Sequence, residues 1–201
     1  MVFVESLDSE EAVLTYYASS MVVAVHSDAS YLGEPNVRSR AGGHFFMSND
    51  STVPQNNGAV LNIDHIIKHV MSSATEAELA GLYIMAREAV YIRIILEELG
   101  HKQPPTPLQT DNLIAEAVTN GKVQPKRTKA MDMRFHWLRD RECQQQFRIY
   151  YWRPGKLNYA DYWTKHHPTK HHQNIRKEFI TPQIVLEMLR QEQAQVAAAA
   201  A

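Results

Sequence analysis

The first strongly apolar run, residues 21–26, is rich in valine and reads as a buried strand that ends at Ser27 and Asp28. Turn residues around Gly33, Glu34 and Pro35 follow, and residues 41–48 and 58–63 read as second and third strands. Asn56, Asn57 and Gly58 between them suggest an antiparallel hairpin turn. The pattern then changes period. Leu79, Leu82, Ala86, Ala89, Leu96 and Leu99 recur along one helical face, which predicts a long helix over residues 73–99 closed by Gly100. Ser73 with Glu76, and Thr75 with Glu78, both fit a capping box and start that helix near Glu78, by the positive end of its dipole.

After a proline-rich link, residues 108–110 form a short strand leading into Asp111, and Leu113, Ile114, Ala117 and Val118 have helical spacing. A helix over 128–142, a strand over 146–152, a turn at Pro154 and Gly155 and a helix from Asn158 follow, with Asp161 in that helix's first turn. Residues 182–195 add an amphipathic terminal helix through Ile184, Leu186, Met188 and Leu189. The order predicts an α/β domain: a mixed sheet flanked by helices over residues 21–177, after a lead-in of residues 1–20 and before a C-terminal helix and Ala-rich tail at 178–201.

Composition changes this picture little. A length of 201 residues suits one domain, and 44% hydrophobic with 21% charged residues is ordinary for a soluble globular chain. Residues 21–25 are too few to span a bilayer, and Glu5, Asp8, Glu10 and Glu11 precede them, so an intracellular location is expected. The single cysteine, Cys143, rules out an intramolecular disulfide and a cysteine-rich zinc site.

Charge distribution says more than the net value of −1. Residues 122–177 hold 14 Lys+Arg against 4 Asp+Glu, whereas residues 1–121 hold 6 against 15. Aromatic residues such as Trp137, Tyr150 and Trp152 interleave with that basic block, a mixture suited to phosphate contacts and to packing on sugars or bases. The plainer alternative is a solvated helix face plus core aromatics.

Four acids, Asp28, Glu78, Asp111 and Asp161, fall at predicted strand ends or helix starts. Taken singly, each reads as a cap or turn residue. Brought together they are costly, since two carboxylates ~5 Å apart repel by ~3 kcal/mol at an effective dielectric near 20. Hard divalent cations remove that cost, and two such ions suffice to hydrolyse a phosphodiester without a side-chain nucleophile.

The segments carrying these acids, Ser27-Asp28-Ala29-Ser30, Ser73-Ala74-Thr75-Glu76-Ala77-Glu78-Leu79, Gln109-Thr110-Asp111-Asn112 and Asn158-Tyr159-Ala160-Asp161, come with a fifth, Arg127-Thr128-Lys129-Ala130-Met131-Asp132-Met133-Arg134-Phe135-His136. Together, over roughly residues 21–166, they resemble the ribonuclease H domain of copia-type long-terminal-repeat retrotransposon polyproteins. The resemblance implies a ribonuclease H-like fold with a five-stranded mixed sheet. It also implies that Asp28, Glu78, Asp111 and Asp161 are both metal ligands and catalytic groups, for two Mg2+ ions with Mn2+ as a substitute. Glu76 ranks below Glu78, because the family's glutamate directly precedes the apolar residue of the Ala-Glu-Leu step. The implied substrate is an RNA–DNA hybrid whose RNA strand is cut to a 5′-phosphate and a 3′-hydroxyl, and the implied partner is a reverse transcriptase domain.

Ser30 and Asn112, beside the acids, are candidates for 2′-hydroxyl contacts, with local turn bonding as their alternative. Arg127, Lys129 and Arg134 are candidates for phosphates. Two departures stand out. Residues 153–160 contain no histidine, where many cellular members of the superfamily carry a mobile one before the last aspartate, and the histidines at 166, 167, 171 and 172 follow Asp161 in what reads as a polar, flexible stretch. The chain has no room for the polymerase, protease or integrase of a polyprotein, so a fragment, remnant or free-standing copy is expected. An inactive relic that binds nucleic acid or a partner is the rival reading.

Overall fold

A computed structural model describes residues 14–122, 133–152, 158–181 and 183–199. Strands β1 (Val22–Glu34), β2 (Arg38–Ser48) and β3 (Leu61–Ile67) come first, then helix α1 (Ala74–Glu98), β4 (Thr106–Thr110), α2 (Leu113–Thr119), α3 (Met133–Cys143), β5 (Phe147–Tyr151), and helices α4 (Asp161–Thr164), α5 (Thr169–Ile180) and α6 (Gln183–Ala199). The five strands form one mixed sheet in the order β3-β2-β1-β4-β5. The first three pair antiparallel, and β4 and β5 run parallel to β1.

Alternation along the central strands sorts the two faces. Val23 and Val25 of β1 and Phe45 and Met47 of β2 pack with Leu82, Met85, Ala86 and Ala89 of α1 and with Leu138 of α3. Burying each of the larger side chains stabilises the fold by ~1.5–3 kcal/mol. On the other face His26 and His44 meet Phe46 and Tyr159, and His44 also meets Phe179, through ring contacts with centroids 5.1–5.5 Å apart. The Phe179 contacts explain why residues 169–180 are a helix and not the polar flexible stretch expected around the histidines. Phe179 and the partly buried Ile175 lie one turn apart on α5, and Phe179 is buried against the sheet. Helix α5 runs across positions 177 and 178.

Strand β1 is also longer than the valine run suggests. It continues through Asp28 to Glu34, because β2 pairs with it residue for residue as far as Ser30↔Arg40. Asp28 is therefore mid-strand. The expected tight hairpin at Asn56, Asn57 and Gly58 is instead part of a long β2–β3 connection, in which both asparagines are buried tethers. Asn57 Oδ1 accepts from the Tyr17 amide at 2.7 Å and its Nδ2 donates to the Tyr17 carbonyl at 2.8 Å. Asn56 Nδ2 donates to the Glu178 carbonyl at 2.7 Å.

Candidate active site

Asp28 and Asp111 are brought side by side by strand register. β1 and β4 are parallel with His26 opposite Gln109, so two residues further on Asp28 faces the end of β4, where Asp111 begins the turn into α2. Asn112 caps α2, its Oδ1 accepting from the Ala115 amide at 2.9 Å, so that oxygen is already used in the fold.

Glu78 reaches the same place from α1. Ser73 Oγ accepts from the Glu76 amide at 3.1 Å, and Glu76 turns back to accept from the Ser72 amide at 2.6 Å. Glu76 is thus consumed by the helix start, which leaves Glu78 on the buried face. Glu78 Oε1 accepts from the Ala29 amide at 3.3 Å, and its Oε2 is buried with no partner among the described residues. One carboxylate oxygen from each of Asp28, Glu78 and Asp111 lies within 4.8 Å of the others.

Asp161 arrives on α4, beside that trio but tied elsewhere. The Lys165 ammonium, one turn later, donates to Asp161 Oδ1, and the Thr164 hydroxyl donates to Asp28 Oδ2. Thr164 and Lys165 follow Asp161 at helical spacings of three and four, the signal that marks them in the sequence as neighbours of the acid. The approach to α4 is pinned to β1: Asn158 Nδ2 donates to the Ser27 carbonyl at 3.1 Å and the Tyr159 amide donates to His26 Nδ1 at 3.3 Å.

Two glycines absent from the sequence reading make this convergence sterically allowed. Gly42 is the β2 partner of Asp28, and a Cβ there would stand 2.6 Å from the Ala160 carbonyl oxygen. The next residue, Gly43, faces the other way, where a Cβ would overlap Met85 Sδ of α1. Side-chain-free backbone on both faces lets α4 and α1 close on the sheet beside Asp28.

Electrostatics bear the mark of crowded acids. Burial, reinforced by Asp28 and Asp111, pushes the Glu78 carboxyl up to about 9. Burial raises Asp28 to about 6; the Thr164 hydrogen bond opposes this, and Asp111 and Asp161 add to it. Asp111 is raised by burial and then by Asp161, with Lys165 opposing. A carboxyl held neutral by burial and by its acidic neighbours, an unpartnered buried oxygen and an all-oxygen donor set fit a hard divalent cation, which would restore the charged forms and satisfy Glu78 Oε2.

Of the other sequence candidates, Ser30 lies on β1 two residues beyond Asp28, its Oγ buried with no partner among the described residues. Arg127 and Lys129 lie outside the described residues. Arg134, at the start of α3, lines a different cleft, with Lys68 and Arg87.

No family model matches the chain. It is 26% identical over 127 residues, 63% of its length, to the Retrovirus-related Pol polyprotein from transposon TNT 1-94 of Nicotiana tabacum. The match spans only 9% of that polyprotein. Among solved structures, LC11-RNase H1, isolated from compost by a metagenomic approach, superposes with a TM-score of 0.52 at 12% identity, covering 71% of this chain and 92% of that one. The N-terminal RNase H domain of a Mycobacterium tuberculosis protein covers 72% of this chain and 91% of its own at 16% identity, with a TM-score of 0.49. Among the described residues no helix is long and apolar enough to cross a membrane.

Proposed function

We propose, from the premise that the chain has a ribonuclease H fold and a sequence similar to a transposon Pol polyprotein, that it is a metal-dependent endoribonuclease cutting the RNA strand of RNA–DNA hybrids. The observation that carries this reading is the convergence of Asp28, Glu78 and Asp111 oxygens within 4.8 Å, with the unpartnered Glu78 Oε2 among them. Asp28, Glu78, Asp111 and Asp161 are the groups that would hold the cations. Two divalent ions, when bound, supply an activated water on one side of the phosphate and charge stabilisation of the leaving oxygen on the other.

The chain's own residues do the rest. Thr164 fixes the Asp28 carboxylate by hydrogen-bonding Oδ2, and the Ala29 amide fixes Glu78 Oε1. The ion pair with Lys165 balances part of the charge of the four acids and holds Asp161 at the rim of the trio. Ser30, two residues beyond Asp28 on β1, is the candidate for a ribose hydroxyl, the group that separates RNA from DNA, and its Oγ would have to be uncovered when the hybrid binds. Arg127 and Lys129, outside the described residues, are the proposed phosphate contacts. A reverse transcriptase domain of the parent polyprotein is the partner that delivers the hybrid.

The test is cleavage of a labelled RNA–DNA hybrid by the purified chain in Mg2+, beside chelated, all-DNA and all-RNA controls and the Asp28→Asn variant. The expected result is cutting of the hybrid's RNA alone, abolished in the variant while the fold and hybrid binding persist. Metal-dependent cutting that survives Asp28→Asn overturns the site. Hybrid binding without any cutting favours an inactive relic.

A further inference from the structure

The molecule has a second feature that the carboxylate site does not use. An open cleft of about 940 Å³ lies between the end of β3, the outer face of α1 and the start of α3. Its walls include Lys68, Arg87 and Arg134, with Glu88 as the one acid among the described lining residues. Among the described residues neither Lys68 nor Arg87 pairs with a carboxylate, and both are exposed. Arg87 is held instead by an aromatic ring, its guanidinium 5.9 Å from the centre of Tyr83. Tyr83 in turn meets Trp137 edge to face at 5.4 Å, and Arg141 covers Trp137 at 5.0 Å. This ladder of guanidinium and rings links α1 to α3 and keeps positive charge beside flat apolar surface without neutralising it. Arg87 follows Glu78 by about two and a half helical turns and points from the opposite face of α1, so the cleft is separate from the acids.

We infer that this cleft is a binding site for single-stranded nucleic acid, with Lys68 and Arg87 on the phosphates and the Tyr83–Trp137 wall against the bases. Cations beside partly exposed ring surface are what a sequence-tolerant single-strand site requires: electrostatic tracking of the backbone plus stacking available to any base. Rings recessed between two helices and a strand end suit unpaired bases, whose faces a duplex keeps stacked inside. The inference stands on residues outside the proposed catalytic centre and needs no cleavage to be true.

The experiment is fluorescence anisotropy with a labelled 15-residue oligothymidylate across a salt series. It compares the full chain, the double variant Lys68→Ala/Arg87→Ala, each of its two single variants and, as the loss of one cation elsewhere, Arg148→Ala, whose guanidinium donates to the Ser51 carbonyl away from the cleft. The double variant is expected to bind about tenfold more weakly, with the slope of log affinity against log salt shallower by ~1.4, the release associated with two single-strand phosphate contacts. Arg148→Ala is expected to stay within about twofold of the wild type, a loss too small for a direct contact. Equal losses in the single cleft variants and in Arg148→Ala, no binding by the wild type at low salt, or displacement by polyglutamate as effectively as by unlabelled oligothymidylate would each overturn the inference. Hybrid cleavage run in parallel separates the two readings. Asp28→Asn should lose cleavage and keep oligothymidylate binding, and the double variant should still cut a short blunt hybrid.

Discussion

Replacing Glu78 by glutamine should stabilise the cation-free protein while destroying the site. The Glu78 carboxyl ionises near 4.5 in an unfolded chain and near 9 in the fold, held up by burial and by Asp28 and Asp111. Between those values the folded state keeps a proton that the unfolded state releases, so rising pH favours unfolding across that window. At pH 7 the penalty is the free energy of holding the proton about 2.5 pH units above its ordinary pKa, ~3 kcal/mol. Glutamine mimics the protonated form in size and donor capacity and escapes that penalty. In chelator at pH 7, Glu78→Gln should therefore melt higher, by about 6–12 °C at ~2–4 °C per kcal/mol for a chain of this size. Below about pH 4.5 both groups are neutral in both states, and the gap should close. Saturating Mg2+ should reverse the order, since a cation that binds only the folded wild type raises its stability by mass action. Thermal melts of both proteins from pH 4 to 8, with chelator and with Mg2+, check this. A gap in chelator that does not shrink on acidification, or a variant that melts lower at pH 7, would refute the claim that crowded burial, and not a structural hydrogen bond, governs Glu78.

Further outcomes follow from the same geometry. Thr164→Val removes the hydroxyl that holds Asp28 Oδ2 at nearly constant volume, so the fold should persist while the Mg2+ concentration for half-maximal hybrid cleavage rises severalfold, read from a metal titration of the rate. Gly42→Ala places a methyl 2.6 Å from the Ala160 carbonyl oxygen, which pushes α4 away from β1. It should cost ~1–3 kcal/mol by urea denaturation and depress cleavage by more than that loss of folded protein explains. Gly100→Ala, where a Cβ would meet nothing within 4 Å, is the control: strained by its φ of +91° but remote from the acids, it should leave the cleavage rate per folded molecule unchanged.

Much of this protein is written in local pattern. The valine-rich run marked the start of β1, the Ser73 cap and the spacing of Leu82, Ala86 and Ala89 marked α1, and the motifs around Asp28, Glu78, Asp111 and Asp161 marked the acids, because such signals depend on neighbours a few residues away. Tertiary structure decided what those signals meant together. Whether Asp28 ended a strand or sat within one depended on its pairing with Gly42, a long-range contact. Asn56 and Asn57 looked like a hairpin turn but became tethers to Glu178 and Tyr17, partners far away in the chain. Residues 169–180 are too polar to announce a helix, and Phe179 makes them one by docking on the far face of the sheet. The family resemblance ranks Glu78 above Glu76, and only the fold supplies a physical reason, with Glu76 turned back on Ser72. The raised carboxyls belong wholly to the fold, since an acid's proton affinity responds to desolvation and to neighbouring charge, and both exist only after four distant segments have been brought to one point.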